Sequence, residues 1–519
     1  MKRSSLITGT LWLTGAGLIT RLLGFVYRIY LSNLIGSEGM GLYQLISPIY
    51  FLLFTLCSSG CHTAISQLVA AEQARNHTAN MCRILWICLL PATLLGIACT
   101  SLVYFASPWI AAHILHDIRA AESIRILCLG LPFCISGTCL KAYFHGLRHM
   151  HVPATEQVVE QLCRMGVIYW LSPLFSTNNI ALTCRYVVFG TLAGDFISCL
   201  YTFFAYGLHR RQTGRFPSLS VMRAAPYRRL LPSIWLIVLP VTGSRLLTQL
   251  LSSFENIILP SVLQRSGLSA SAALSLYGEF GGMVMPLLTF PTIITGALSS
   301  NLLPLVAAAK AGGNLRRIHT SIQQSLRLTF LIAFLFTALF GALGVPLGDH
   351  IYPGTNAGSL LQLLSVFCPF IYLQTTLSGI LNGLGLQAHI FLYQLISSGL
   401  RIVILLTFGP VYGFTAFLAG LLISLILGTL LSLRKITSTY HLKLQTMTSI
   451  ILPFLSAALT YLLITLFTRY SIIFSVSSTL SLLLHLLLGS SLYFLLLILT
   501  KSVTKKDLHE VLYLMKHNT

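Results

Sequence analysis

Long apolar runs, separated by short polar connections, constrain this chain more than any motif does. A membrane-spanning helix needs about 20 mostly apolar residues, and such runs cover residues 6–31, 42–69, 84–105, 124–144, 158–175, 182–208 and 234–263. They continue at 276–306, 326–347, 360–381, 390–408, 411–433, 450–467 and 480–499, with a Gly409-Pro410 turn dividing the eleventh from the twelfth. Hydrocarbon offers no partner to an exposed backbone N–H or C=O, so a run of this kind crosses as a helix. The expectation is an all-α integral membrane protein of about fourteen transmembrane helices. Charged residues are 9% of the 519 and hydrophobic ones 55%, whereas a soluble domain carries about 25% charged residues.

The formal net charge of +21 would suggest nucleic acid in a soluble protein. Here the basic residues cluster between apolar runs, which points to membrane orientation and against a nucleic-acid partner. With both termini cytoplasmic, the cytoplasmic side takes Arg75, Arg148, the stretch from Arg210 to Arg229, Arg316-Arg317, Arg434-Lys435 and Lys505-Lys506. The opposite loops hold only Arg119, Arg265 and Arg469 of the 33 Lys and Arg. The 12 cysteines form no CxxC pair, so no zinc site or disulfide framework is expected. The first run follows Lys2 and Arg3 without a cleavage site and reads as a retained helix.

The chain repeats itself. Leu68-Val69-Ala70-Ala71 returns as Leu305-Val306-Ala307-Ala308, Gly146-Leu147 as Gly383-Leu384, and Arg164 as Arg401, all at an offset of 237 residues. Arg21-Leu22-Leu23 matches Arg245-Leu246-Leu247 with a different shift, as Leu42-Tyr43 matches Leu276-Tyr277. Six helices is an even number, so the two halves share an orientation, as in transporters that work by alternating access. The expected organisation is a lobe at 1–208, a basic linker at 209–230, a second lobe at 231–433, and two further helices with a basic tail at 434–519.

Charge inside the apolar runs marks the candidate site, because an arginine at the bilayer centre costs about 2.5–3.5 kcal/mol or more. Gly17, Arg21, Gly24 and Arg28 share one face of the first helix, and Arg245, Gln249, Ser252 and Asn256 share one face of the seventh. Snorkelling is the alternative for Arg21 and Arg28, but seven residues separate them and both would have to reach water. Arg164 follows Glu160 by four residues, which suits an intrahelical pair as well as a substrate role. Arg401 has Ser397 and Ser398 nearby and no local carboxylate. Asp195, Glu255 and Glu279 suit either a coupling proton or cation, or counter-ions for the arginines. His62 reads as a packed polar residue, and Pro48, Pro286 and Pro291 as bends in the second helix of each half.

Several arginines with few acidic residues favour an anionic ligand, and the planar guanidinium suits phosphate. A membrane enzyme acting on polyprenyl phosphates would need an acidic metal-binding cluster. The 12 acidic residues form none, so neither enzyme activity, nor a metal, nor a cofactor is expected.

Thr20-Arg21-Leu22-Leu23-Gly24-Phe25 and Gly36-Ser37-Glu38-Gly39-Met40-Gly41-Leu42-Tyr43 resemble the N-terminal signature of the stage V sporulation protein B family. So do Ser58-Ser59-Gly60 with Ala64-Ile65-Ser66, Gly146-Leu147-Arg148, and Tyr277-Gly278 leading to Pro286. The resemblance spans most of residues 5 to 435 and departs from the pattern at His62, where the family carries proline. The family belongs to the multidrug/oligosaccharidyl-lipid/polysaccharide exporter superfamily. The resemblance implies two six-helix lobes in a V around a central cavity and a bacterial cytoplasmic-membrane flippase of polyprenyl-pyrophosphate-linked saccharides. It implies functional importance for Arg21, and less directly for Arg28, and a lipid-tail groove at the last two helices. Peptidoglycan, spore-cortex or polysaccharide synthesis is the implied setting, with envelope-synthesis enzymes as partners beside the lipid-linked substrate. Arg21, Arg28 and Arg245, with Arg401 as a fourth, are the expected pyrophosphate ligands. A cation-coupled multidrug exporter and a non-transporting scaffold are the competing readings.

Overall fold

The computed structural model describes residues 3–175, 179–212, 227–440, 446–470 and 479–502. Among these residues every regular element is helical. Much of the basic stretch from Arg210 to Arg229 lies outside the described residues, as do Lys505 and Lys506.

Helix α1 (Arg3–Ala74) contains the first two spans, broken at Gly36, whose φ of 70° suits a residue without Cβ. It is followed by α2 (Thr78–Trp109), α3 (Ala120–Leu129), α4 (Leu131–Gly146), α5 (His151–Leu171), α6 (Ile180–Gln212) and α7 (Tyr227–Arg265). The eighth span is broken into α8 (Ala270–Gly278), a wide π turn (Glu279–Val284), α9 (Met285–Thr289) and α10 (Thr292–Ala311). Pro286 and Pro291 lie at these breaks and lack the N–H an uninterrupted helix would need. Pro48 behaves differently, since α1 keeps helical angles through it. Then come α11 (Leu315–Ile351), α12 (Ala357–Leu364), α13 (Cys368–Gly383), α14 (Gln387–Tyr412), α15 (Phe414–Tyr440), α16 (Leu452–Tyr470) and α17 (Thr479–Leu499). The break between α14 and α15 falls at Gly413, with φ 57°, rather than at Gly409-Pro410. Gly413 can take the left-handed angle that ends a helix.

All fourteen expected spans are thus helical. Twelve helices among the described residues meet the length and apolarity needed to cross a bilayer. The first of them holds two crossings, and α5, which carries Glu156, Glu160 and Arg164 together with Gln157 and Gln161, is too polar to be among them. Phe105, Trp170 and Leu236 are 80%, 78% and 78% exposed, a surface suited to lipid. The protein is a multi-pass membrane protein.

The chain packs into two compact units, Met1–Gly278 and Glu279–Thr519. By packing, α7 and α8 belong to the first unit, although by repeat they open the second half. The reason lies in the glycine motifs. A Cβ on Gly41 would lie 2.0 Å from the carbonyl oxygen of Leu274, one on Gly278 would lie 2.0 Å from that of Ser37, and one on Gly60 would lie 2.6 Å from that of Val238. The signature residues Gly41, Gly60 and Gly278 therefore let α7 and α8 approach the second limb of α1.

Charged residues gather at the helix ends. In the first unit Glu72 gathers Arg75, His77 and Asn80 at one end. Arg119 joins Glu38 at 2.8 Å and Asp117 at 2.7 Å at the other, where Ser271 also donates to Glu38. The carboxylates hold Arg119 charged, raising its pKa. The repeat is visible in contacts: Gln73 donates to the Leu147 carbonyl in the first unit, and Lys310 donates to that of Leu384 in the second.

Candidate functional site

The first limb of α1 is two-sided. Ala16, Tyr27 and Leu31 are buried, while a Cβ built on Gly17 or Gly24 meets no atom within 4 Å. Arg21 is exposed and Arg28 half-buried on this open face. Among the described residues no carboxylate pairs with Arg21, Arg28 or Arg245.

On α7 the stripe divides. Arg245 is exposed, but the residues beyond it are engaged in packing. Gln249 donates to Ser253 at 3.2 Å, and Ser253 to the Pro48 carbonyl at 3.1 Å. Asn256 donates to the Ser252 carbonyl and accepts from the Tyr277 hydroxyl at 3.4 Å. Gln249 and Asn256 therefore tie α7 to α1 and α8.

The three candidate carboxylates are all buried and have separate surroundings. Glu255 is on α7. Glu279 belongs to the second unit, where it accepts from the backbone N–H of Asn356 at 3.3 Å. Asn356 opens α12, so this carboxylate sits at the positive end of a helix dipole. Asp195 is held by charge. Its Oδ2 accepts from the Tyr50 hydroxyl at 2.6 Å, and its Oδ1 lies 3.7 Å from Arg164.

Arg164 anchors a larger ionic network in the first unit. Its closer partner is Glu160, at 2.7 Å, the intrahelical pair the spacing allowed. On the same helix Glu156, fully buried, takes Lys141 of α4 at 3.1 Å and accepts from Ser198 of α6. Sequence reasoning missed Lys141, Glu156, Tyr50 and Ser198. The run Glu156, Glu160, Arg164 at intervals of four was the available signal for one charged helical face. The network sums to two cations and three carboxylates, close enough for the charges to offset one another.

Arg401 belongs to the second unit, where it lines a cavity of about 280 Å³. Gln374, Gln394, Ser397, Ser398 and Ser424 line it with Arg401, whose Nη2 lies 3.4 Å from the Ser398 hydroxyl. A second cavity, of about 250 Å³, lies among α11, α12 and α16, with apolar walls from Phe334, Ala338, Val366 and Phe454. His62 packs edge-on against His145, ring centroids 5.5 Å apart. No group of three or more His, Cys, Asp or Glu is gathered for a metal among the described residues.

Comparison with known proteins agrees with this architecture. The chain is 26% identical to stage V sporulation protein B of Bacillus subtilis strain 168, over 98% of each sequence. Its fold is similar to that of a lipid II flippase MurJ in an inward closed conformation, with a TM-score of 0.69, 13% identity, and coverage of 93% of this chain and 97% of that one. It is also similar to an inward-facing multidrug resistance MATE family transporter of the MOP superfamily, with a TM-score of 0.63, 17% identity, and coverage of 81% and 95%. The profile of the polysaccharide biosynthesis protein family matches residues 6–310, more than half of the 519; the chain belongs to that family, on a MATE/MurJ-like fold.

Proposed function

We propose that this protein moves polyprenyl-pyrophosphate-linked saccharides across the bacterial cytoplasmic membrane by alternating access, with both termini cytoplasmic. The observation that carries this reading is the set Arg21, Arg28 and Arg245, held within apolar helices without a carboxylate partner among the described residues. Their charge opposes insertion, so a ligand anion is the reason to keep them. A pyrophosphate supplies the oxygens that guanidinium groups grip bidentately. The apolar cavity beside α16, of about 250 Å³, has room for a short segment of the polyprenyl chain of the same substrate and not for the whole of it. The names of the sporulation relative and of the flippase fold support an envelope precursor as cargo.

A cation-coupled multidrug exporter would present carboxylates to its cargo. Here Glu156, Glu160 and Asp195 are occupied by Lys141, Arg164 and Tyr50. A non-transporting scaffold gives the open arginine face no purpose.

The test is flipping of fluorescent lipid II in proteoliposomes that contain only this protein. Translocation above that of protein-free vesicles is expected, and its absence from correctly inserted protein would overturn the reading. Each negative charge moved outward gains about 2.3 kcal/mol per 100 mV of inside-negative potential. Outward transport should therefore slow when the potential is collapsed.

A further inference from the structure

A serine inside a helix either faces a polar space or donates back to a carbonyl one turn earlier. Ser300, Ser325 and Ser490 of the second unit donate back, to Gly296, Ser321 and Leu486. Three serines around the cavity of about 280 Å³ do not. Among the described residues Ser378, Ser397 and Ser432 donate no hydrogen bond, and neither do Gln374, Tyr393 and Gln394 beside them. The Ser397 hydroxyl is buried with no partner. The rest of the polar lining is already engaged. Ser424 donates to the Leu421 carbonyl, Ser398 meets Arg401, and Arg401 has further interactions of its own.

The internal repeat shows what has changed to open this space. At the offset of 237 residues, Ser378 stands in the place of Lys141, Ser397 in that of Glu160, and Gln394 in that of Gln157. The next helix runs at an offset of 230, because Gly190 lies against the Arg164 carbonyl as Gly420 lies against that of Arg401. That offset puts Gly428 in the place of Ser198, whose hydroxyl meets Glu156 in the first unit. A Cβ on Gly428 would lie 2.8 Å from the Gln374 amide nitrogen and 3.0 Å from the Ser397 hydroxyl oxygen. The missing side chain at Gly428 therefore keeps the space beside these two groups clear. Where the first half packs charged pairs, the second half sets neutral hydrogen-bonding groups around a cavity.

We infer that this cavity is a saccharide subsite, which takes one neutral sugar unit through hydroxyl and amide hydrogen bonds. The mixture of donors and acceptors selects this class. Each carboxamide offers two N–H donors and a carbonyl acceptor, and each hydroxyl both donates and accepts. A sugar ring with hydroxyl and acetamido groups also does both. A fully ionised phosphate only accepts, and would leave the amide oxygens unmatched. An apolar chain would leave every one of these groups unmatched. Leu381, Ile390 and Leu425 complete the lining and suit the C–H faces of a ring. The volume is just below the range of about 300–1,000 Å³ usual for small-molecule sites, so one sugar unit is the scale and a whole lipid-linked disaccharide is not. That the sugar belongs to transported cargo rests on the proposed function; the chemistry of the subsite does not.

The test is saturation-transfer difference NMR of N-acetylglucosamine with the purified full chain in phosphatidylcholine nanodiscs. Saturable transfer is expected, and inorganic phosphate at equal concentration should not displace it. Gly428→Ala narrows the cavity and has only the end of a flexible glutamine to move aside. It should keep the wild-type unfolding temperature and weaken binding at least tenfold. Gln374→Met combined with Ser397→Ala removes hydrogen-bonding groups without adding bulk and should do the same. Ser300→Ala and Arg21→Ala should bind as the wild type does. A wild type with no saturable transfer would overturn the subsite. So would binding that survives both Gly428→Ala and the double variant, or binding that inorganic phosphate displaces. The two readings fail separately: sugar binding without lipid II flipping overturns the proposed function alone, and flipping without sugar binding overturns the subsite alone.

Discussion

Gly146 rests directly on Val69: a Cβ at this glycine would lie 2.8 Å from the Cβ of Val69. Gly383 rests on Val306 in the same way, at 3.2 Å. The pairs are repeat equivalents, so each half uses one glycine to seat its fourth span against its second. Gly146→Val and Gly383→Val should each destabilise by about 1–3 kcal/mol through overpacking. Gly17→Ala, whose Cβ enters open space, should leave stability unchanged. Denaturant unfolding in detergent compares the three, and equal stability of all three would refute the seating role.

The Lys141–Glu156 pair makes a different kind of prediction. Glu156 is fully buried, and removing one partner of a buried ion pair typically costs about 3–5 kcal/mol. Lys141→Met should therefore lower the unfolding temperature sharply. Lys141→Met combined with Glu156→Met should recover much of the loss, because the uncompensated charge is gone. A double variant no more stable than Lys141→Met alone would contradict this account.

Arg21→Ala and Arg245→Ala should insert at normal levels and flip lipid II at least tenfold more slowly. The lysine versions should keep part of the activity, since charge remains while the fork is lost. Alanine variants flipping at full rate would remove both residues from cargo binding.

Glu279 has a structural partner at the start of α12. Glu279→Ala should cost about 1 kcal/mol, as for loss of a helix N-terminal cap. Glu279→Gln and Glu255→Gln should alter rate or folding more than the choice of cargo. The checks are membrane level and transport from pH 6 to 8; two variants identical to wild type in both would take these carboxylates out of the mechanism.

His149, in the connection between α4 and α5, has its pKa lowered from the ordinary 6.5, first by burial and then by His151. It faces His151 of α5 and His209 of α6, with ring centroids 5.8 and 5.2 Å away. Arg148 precedes it, and His145 and Arg210 stand on the adjoining helix ends. The folded state favours neutral His149, so the unfolded state binds the proton first as pH falls through 6.5. Stability should be level above that pH and decline below it. His149→Gln should flatten the decline in unfolding temperature between pH 7 and 5.5, and an unchanged slope would assign the effect to other groups.

The fold was largely legible in the sequence because each span announces itself locally, by about 20 apolar residues. The exceptions have local causes as well. Proline angles decide breaks only in context, so Pro286 and Pro291 interrupt a span while Pro48 does not. Arg164 and Glu160 were legible as a pair because i,i+4 spacing implies contact. Lys141, Tyr50 and Ser198 were not, because their meeting with Glu156 and Asp195 depends on how three other helices pack. The face of Gln249 and Asn256 was correctly periodic, but periodicity does not say which part of a face is taken up by a neighbour. The signature glycines had no evident purpose in the sequence, and close backbone approach now supplies one.

The placement of α7 and α8 against α1 bears on how the protein is made. The side of α1 that carries Gly41 and Gly60 has no permanent neighbour when the sixth span leaves the ribosome. That neighbour arrives only with α7 and the first turns of the eighth span, across the basic connection. A nascent chain arrested after α6 would therefore hold a membrane-inserted but unfinished bundle, sensitive to proteolysis, and the length at which resistance appears would fall near Gly278.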